Sequence, residues 1–209
     1  DKSADAVVDA KLAHWLPRGW IFVSVGYRLL PAAAPAAQAD DVARALAHVQ
    51  AHAADWGGDP NAVVLMGHSA GAHLAALLAA DPTIAAAAGA RPWRATVALD
   101  SAVYDVPAMM TAPHLRLYDR AFGTDPARWR ASSPIDRLAG RPAPMLLVCS
   151  TRRETSCAQA RRFASAVEGR GGRAELFATA QTHHEINRDL GAANPETAAV
   201  DAFLASLAR

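Results

Sequence analysis

Short, predominantly apolar runs alternate with longer stretches in which apolar residues recur at helical spacing, and this alternation organises the chain. The runs lie at residues 20–25, 62–66, 95–99, 144–149 and 174–178. None alternates apolar with polar residues, as a strand with one wet face would; uninterrupted apolar strands are those that helices cover on both faces. Residues 4–16 read as a helix that ends before Pro17. Residues 40–56 read as a longer one, with Val42, Leu46 and Val49 as its inner stripe and Asp40 and Asp41 at its positive N-terminal end. Turn residues Gly57, Gly58, Asp59 and Pro60 introduce the run 62–66, and the helix after it continues to Ala80, where Asp81 and Pro82 stop it. A helix over 156–168 follows. The last helix is capped by Asn194, takes Pro195 at its first position and presents Val200, Phe203, Leu204 and Leu207 on one face. Strand, helix, strand in this order predicts an α/β domain with a mostly parallel sheet in three layers. Residues 103–138, rich in Pro, Arg and Trp, break the rhythm and are expected to form an excursion over one end of the sheet, within a single domain spanning 1–209.

Composition narrows the picture. The 209 residues suit one domain, and 52% hydrophobic against 20% charged residues place the chain on the folded side of the boundary with disorder. Lys plus Arg is 21 and Asp plus Glu is 20, a formal net charge of +1, so no broad field exists to hold nucleic acid or an anionic membrane. No stretch reaches the roughly eighteen apolar residues that span a bilayer, and no charged leader precedes an apolar run; a soluble, cytoplasmic protein is expected. Cys149 and Cys157 are too few for a disulfide framework and lack partners at zinc-ligand spacing, so reduced thiols are expected.

The sharpest chemical feature is Gly67, His68, Ser69, Ala70 and Gly71, a GxSxG pattern between a predicted strand and the helix after it. A serine hydroxyl is a poor nucleophile. A strand-to-helix elbow lifts it out of the backbone toward a base, at the positive end of a helix. The turn demands an unusual φ/ψ at the serine and close approach of the neighbouring chain, which accounts for a glycine at each end and the small Ala70. Late in the chain, Thr182, His183, His184 and Glu185 follow the last strand, so the base is His183 or His184. The acid that orients it should follow a strand C-terminus. After the run 144–149 the only carboxylate is Glu154, which could instead form a surface ion pair with its arginine neighbours; Asp100 and Asp105 are the alternatives one strand earlier. His14, His48, His52, His73 and His114 fit packing or solvated roles on helices or in the excursion.

Taken together, GHSAGAHLAALL at 67–78, VSVGYRLLP at 23–31, WGGDPNAVVLMG at 56–67, Tyr104 with Asp105, SSPIDRL at 132–138 and HHEINRDLG at 183–191 resemble the α/β-hydrolase fold, in its carboxylesterase and arylformamidase-like branch. The resemblance implies Ser69 as nucleophile, His183 as base three residues before the apolar Ile186, Glu154 as acid, and the Ala70 N–H as an oxyanion donor, with no metal or organic cofactor. It also has departures. The family's acid is usually aspartate, and aligning the turn puts Arg153 in its place with Glu154 one position later. A His-Gly-Gly stretch that supplies further oxyanion donors in the family does not occur here; Asp1, Lys2 and Ser3 resemble the residues that follow it. Losing one such donor costs about a hundredfold to a thousandfold in turnover. The resemblance further implies that the sheet's N-terminal strands are missing, including one between the runs 20–25 and 62–66. The expectation is a piece of a longer polypeptide, or a chain whose sheet is completed by self-association or another chain. Three readings follow: a serine esterase acting on small carboxylic esters, an arylformamidase acting on formylkynurenine-like formamides, or a weak or silent hydrolase-fold fragment serving as a binding or assembly module.

Overall fold

A computed structural model describes residues 4–101 and 103–207; Asp1, Lys2 and Ser3, on which the resemblance drew, lie outside the described residues. In chain order the elements are α1 (Asp9–Trp15), α2 (Pro35–His52), β1 (Val64–His68), α3 (Ala70–Ala80), α4 (Pro82–Ala87), β2 (Ala95–Leu99), α5 (Val106–Thr111), α6 (Arg116–Phe122), α7 (Pro126–Ala131), α8 (Pro134–Arg137), β3 (Met145–Ser150), α9 (Glu154–Gly169), β4 (Ala174–Thr179), α10 (His183–Arg188) and α11 (Pro195–Ser206). The four strands form one parallel sheet in the order β1-β2-β3-β4, with Val64 opposite Ala95, Leu99 opposite Val148 and Ser150 opposite Thr179.

Successive side chains of β2 and β3 point to opposite faces, and each face meets its own helices. Ala98, Met145 and Leu147 pack with Leu46 of α2, Leu74 and Leu77 of α3 and Phe163 and Val167 of α9. Val97, Leu99, Leu146 and Val148 pack with Trp15 of α1, Ile186 of α10 and Val200 and Phe203 of α11. Both central strands are buried along their whole length, which is why they carry no polar alternation. Each fully buried Leu, Ile or Phe contributes about 1.5 to 3 kcal/mol of transfer free energy, so these two seams hold the three layers together. The excursion is four short helices, α5 to α8, with a satellite core of Val103, Val106, Met109, Met110 and Phe122.

Four expectations are corrected. Residues 20–29 are extended but belong to no strand. An apolar run becomes a strand only when a neighbour takes its N–H and C=O groups, and among the described residues β1 pairs only with β2. Ile21 and Val23 accordingly stay exposed, and β1 is only half-buried. Second, α2 begins at Pro35 rather than near residue 40. Asp41 therefore sits in its second turn, where it accepts from the Arg28 guanidinium at 2.8 Å and from Arg44 at 2.6 Å. Third, Cys149 and Cys157 are not free thiols but form a disulfide between the end of β3 and the first turns of α9, with 5.1 Å between their Cα atoms. The first helix is also shorter than 4–16, since a single 3-10 turn, Leu16–Arg18, takes over at Pro17.

Candidate active site

The C-terminal ends of the parallel strands bring four segments together. At the first, β1 passes into α3 through a tight bend in which Ser69 has φ 56 and ψ −117, left-handed backbone that a serine adopts only where the surroundings enforce it. What enforces it is on both sides: the Ser69 N–H donates to the Leu99 carbonyl at 2.9 Å, and its own carbonyl accepts the His73 N–H at 3.1 Å. Gly67 is required by this bend, because a Cβ there would lie 2.2 Å from the Gly71 carbonyl oxygen; Gly71 itself has open space where a Cβ would be. The pairing of glycines read from the motif thus has a steric cause at one end only. Ala70 is the first residue of α3, so its N–H has no intrahelical carbonyl to meet and lies at the positive end of the helix.

The second segment follows β4. Thr182 caps α10 through a capping box, its hydroxyl accepting the Glu185 N–H while the Glu185 carboxylate accepts the Thr182 N–H at 2.7 Å. This fixes His183 as the first helical residue. Its ring lies against that of His68, the residue before Ser69, with centroids 4.3 Å apart, and the His68 Nε2–H donates to the His183 carbonyl at 2.8 Å. His183 remains 36% exposed. His184, the other candidate base, is exposed.

The third segment brings a carboxylate to His183, and it is Asp100, one of the two alternatives one strand earlier, rather than Glu154. Glu154 is exposed at the start of α9. The group that accepts from His183 Nδ1 is Asp100 Oδ2, at 2.6 Å, directly after β2. Asp100 is 0% exposed and has φ 51, a conformation that aspartate tolerates better than most residues. Asp105 is elsewhere: it caps α5 by accepting the Ala108 N–H at 3.0 Å and pairs with Arg162 at 2.9 Å.

The fourth segment, between β3 and α9, wraps the same carboxylate. Asp100 Oδ1 accepts the Ser150 N–H at 2.8 Å and a short bond from the Ser156 hydroxyl. Arg153 Nη1 donates to Asp100 Oδ2 at 2.6 Å and to the Asp100 carbonyl at 2.9 Å, and approaches His183 Nδ1 to 2.8 Å. Burial pushes the Asp100 carboxyl up, but the bonds from His183, Ser156, the Ser150 N–H and Arg153 outweigh it and hold the group well below the usual carboxylate range. Asp100 is therefore an anion, and an anion can only accept, which puts a proton on His183 Nδ1 and leaves Nε2 with its lone pair free. Neither Arg153 nor Ser156 was singled out as a partner of the acid from sequence. The available signal was Asp100 itself, a polar residue placed where an apolar parallel strand ends.

The remaining histidines have local partners. His73 is buried beside Phe122 and donates to the Val103 carbonyl at 2.9 Å, His14 meets Asp201 and His114 meets Asp119, and His52 stacks on Trp56 with His48 in tilted contact with both. Among the described residues no group of three or more His, Cys, Asp or Glu is disposed to hold a metal ion, and no helix is long and apolar enough to cross a membrane.

The chain is similar to known proteins. The BD-FAE family model matches residues 1–91. Esterase LipQ of Mycobacterium tuberculosis is 30% identical over 185 residues, which is 83% of this chain and 44% of LipQ; the chain spans less than half the length of that relative. Among solved structures, Thermogutta terrifontis esterase 2 phosphoramylated by tabun superposes with a TM-score of 0.66 at 25% identity, over 87% of this chain and 69% of that one. Carboxyl esterase 2 of the mycorrhizal fungus Tuber melanosporum superposes with a TM-score of 0.77 at 16% identity, over 99% and 73%.

Proposed function

Because the chain is an α/β-hydrolase-fold protein related to esterases, we propose that it hydrolyses carboxylic esters of modest size through an acyl-enzyme on Ser69. The observation that carries this reading is the His183 imidazole. It is tied at Nδ1 to a buried anion and lies in tilted ring contact with the residue next to a serine raised on an elbow. His183 Nε2 takes the Ser69 Oγ proton as the oxygen attacks the acyl carbon, and the tetrahedral intermediate forms with its oxyanion at the start of α3, where the Ala70 N–H points. Collapse expels the alcohol, which receives that proton from His183. Water then enters by the reverse of the same proton path and releases the acid. Asp100 serves as the orienting acid in this scheme, in place of Glu154: it accepts the Nδ1 proton and stabilises the imidazolium that forms transiently.

The test is direct. Ser69→Ala in the intact chain should abolish release of p-nitrophenol from p-nitrophenyl acetate and should abolish labelling by a fluorophosphonate probe, the same class of phosphorus chemistry that the Thermogutta neighbour undergoes with tabun. Turnover unchanged by that substitution would remove the scheme.

A further inference from the structure

We propose, resting on the reading of His183 as base and Asp100 as its orienting acid, that Arg153 is a positioning residue that selects the working tautomer of His183 by clamping Asp100. Nη1 of a guanidinium carries two hydrogens. Both have an acceptor on the same residue: the Asp100 carbonyl at 2.9 Å and Asp100 Oδ2 at 2.6 Å. Nη1 also stands within hydrogen-bond distance of His183 Nδ1, at 2.8 Å, so its two hydrogens face three neighbours; the anionic Oδ2 and the carbonyl oxygen are the acceptors that draw a guanidinium most strongly, and held there it leaves Nδ1 to the carboxylate. Nδ1 must therefore keep its own proton and donate it to Oδ2. Were Arg153 to swing and donate to Nδ1 instead, the imidazole proton would move to Nε2 and the ring could no longer take a proton from Ser69.

The clamp acts on conformation as well as on charge. Asp100 has φ 51, and Arg153 closes a ring between its backbone carbonyl and its side chain, so the carboxylate cannot rotate away from His183 without breaking an ion pair. The second oxygen is held from the same segment, by the Ser150 N–H and the Ser156 hydroxyl. Besides His183, all the groups that bond this carboxylate thus come from residues 150–156. Arg153 is 27% exposed, so its charge is partly solvated, and its contribution lies in the bidentate geometry rather than in long-range field.

The experiment compares Arg153→Met and Arg153→Lys with the unsubstituted chain by proton NMR and by steady-state ester hydrolysis. The unsubstituted protein should give a downfield resonance from the His183 Nδ1 proton shared with Asp100. Arg153→Met should lose or broaden that resonance and lower kcat about ten- to a hundredfold, as misplacement of a catalytic group does, with KM within twofold. Arg153→Lys, which keeps one charged donor, should recover part of both. A resonance and kcat unchanged in Arg153→Met would overturn the inference. The NMR readout needs no turnover, so it still decides the role of Arg153 if the hydrolase reading fails on Ser69→Ala, and Arg153→Lys decides it if the methionine variant does not fold.

Discussion

Asp100 and Glu154 are the two carboxylates between which the chemistry must choose, and they differ by environment more than by type. Asp100 is buried, anionic and bonded to the imidazole, whereas Glu154 is exposed at a helix start. Replacing Asp100 with Asn keeps the shape but lets the amide present a donor to His183, which favours the wrong tautomer; kcat for p-nitrophenyl acetate should fall by about three to four orders of magnitude. Glu154→Gln should leave kcat and KM within twofold. The opposite pair of outcomes would return the role to Glu154. At this scale the sequence was legible where a residue's task imposes a local spacing. The GxSxG pattern points to Ser69 as a candidate, whereas two adjacent histidines leave the base open between His183 and His184 by spacing alone; in the structure the Thr182–Glu185 capping box makes His183 the first residue of α10. The acid has no such local signature, because any residue at a neighbouring strand end can reach the same imidazole. Sheet order alone does not decide it, since β3 separates β2 from β4; the segment 150–156 cradles the Asp100 carboxylate where it meets His183.

The element that carries most of the site is the segment joining β3 to α9, and its two ends are tied together by Cys149–Cys157. It also anchors the base side, since the Ser150 hydroxyl donates to the Gln181 carbonyl at 2.6 Å, just before α10. Cross-linking residues eight apart removes unfolded-state freedom worth about 2 to 3 kcal/mol on loop-closure grounds. The double variant Cys149→Ser with Cys157→Ser should therefore melt roughly 4 to 10 °C lower. The loosened segment should lower kcat more than it raises KM, because the cradle of Asp100 relaxes while the excursion over residues 103–138 is untouched. Equal melting temperatures, measured by circular dichroism with and without the substitutions, would mean that the loop is held by its hydrogen bonds alone. The disulfide was not legible: two cysteines carry no pattern, and only the return of the chain from β3 into α9 brings them within bonding range. The strands were legible for the contrary reason. Burial on both faces dictates an uninterrupted apolar run, and 95–99 matches β2 residue for residue, but the run 20–25 has the same composition without a ladder partner among the described residues, and a strand is a property of the pair.

Across the whole molecule, the layer formed by α1, α10 and α11 joins the two ends of the described chain, and two buried ionisable side chains, Lys11 and Glu196, sit within it. Lys11 of α1 donates through Nζ to the Val7 carbonyl at 2.8 Å and, by a short bond, to the Asn187 carbonyl. Glu196 of α11 is wholly buried, and neither of its carboxylate oxygens meets a hydrogen-bond partner among the described residues. Burial pushes Glu196 up to about 8 against the opposing pull of Lys11, and Asp100 and Asp189 push the same way as burial. Burial also brings Lys11 down to about 8. The sign for Glu196 follows from linkage. The folded chain keeps a proton that the unfolded chain releases above its ordinary value of 4.5, so the stability associated with this carboxyl is complete below that value and is lost as pH rises through about 8. Glutamine has the shape of the protonated acid and cannot ionise. Glu196→Gln should accordingly melt at the same temperature as the unsubstituted chain near pH 5 and higher than it near pH 8.5, the gap opening between those values in a series of thermal melts. A gap of constant size across the series would show that Glu196 ionises in the folded chain as it does in the unfolded one, and would locate its energetic effect in packing between α1 and α11 instead.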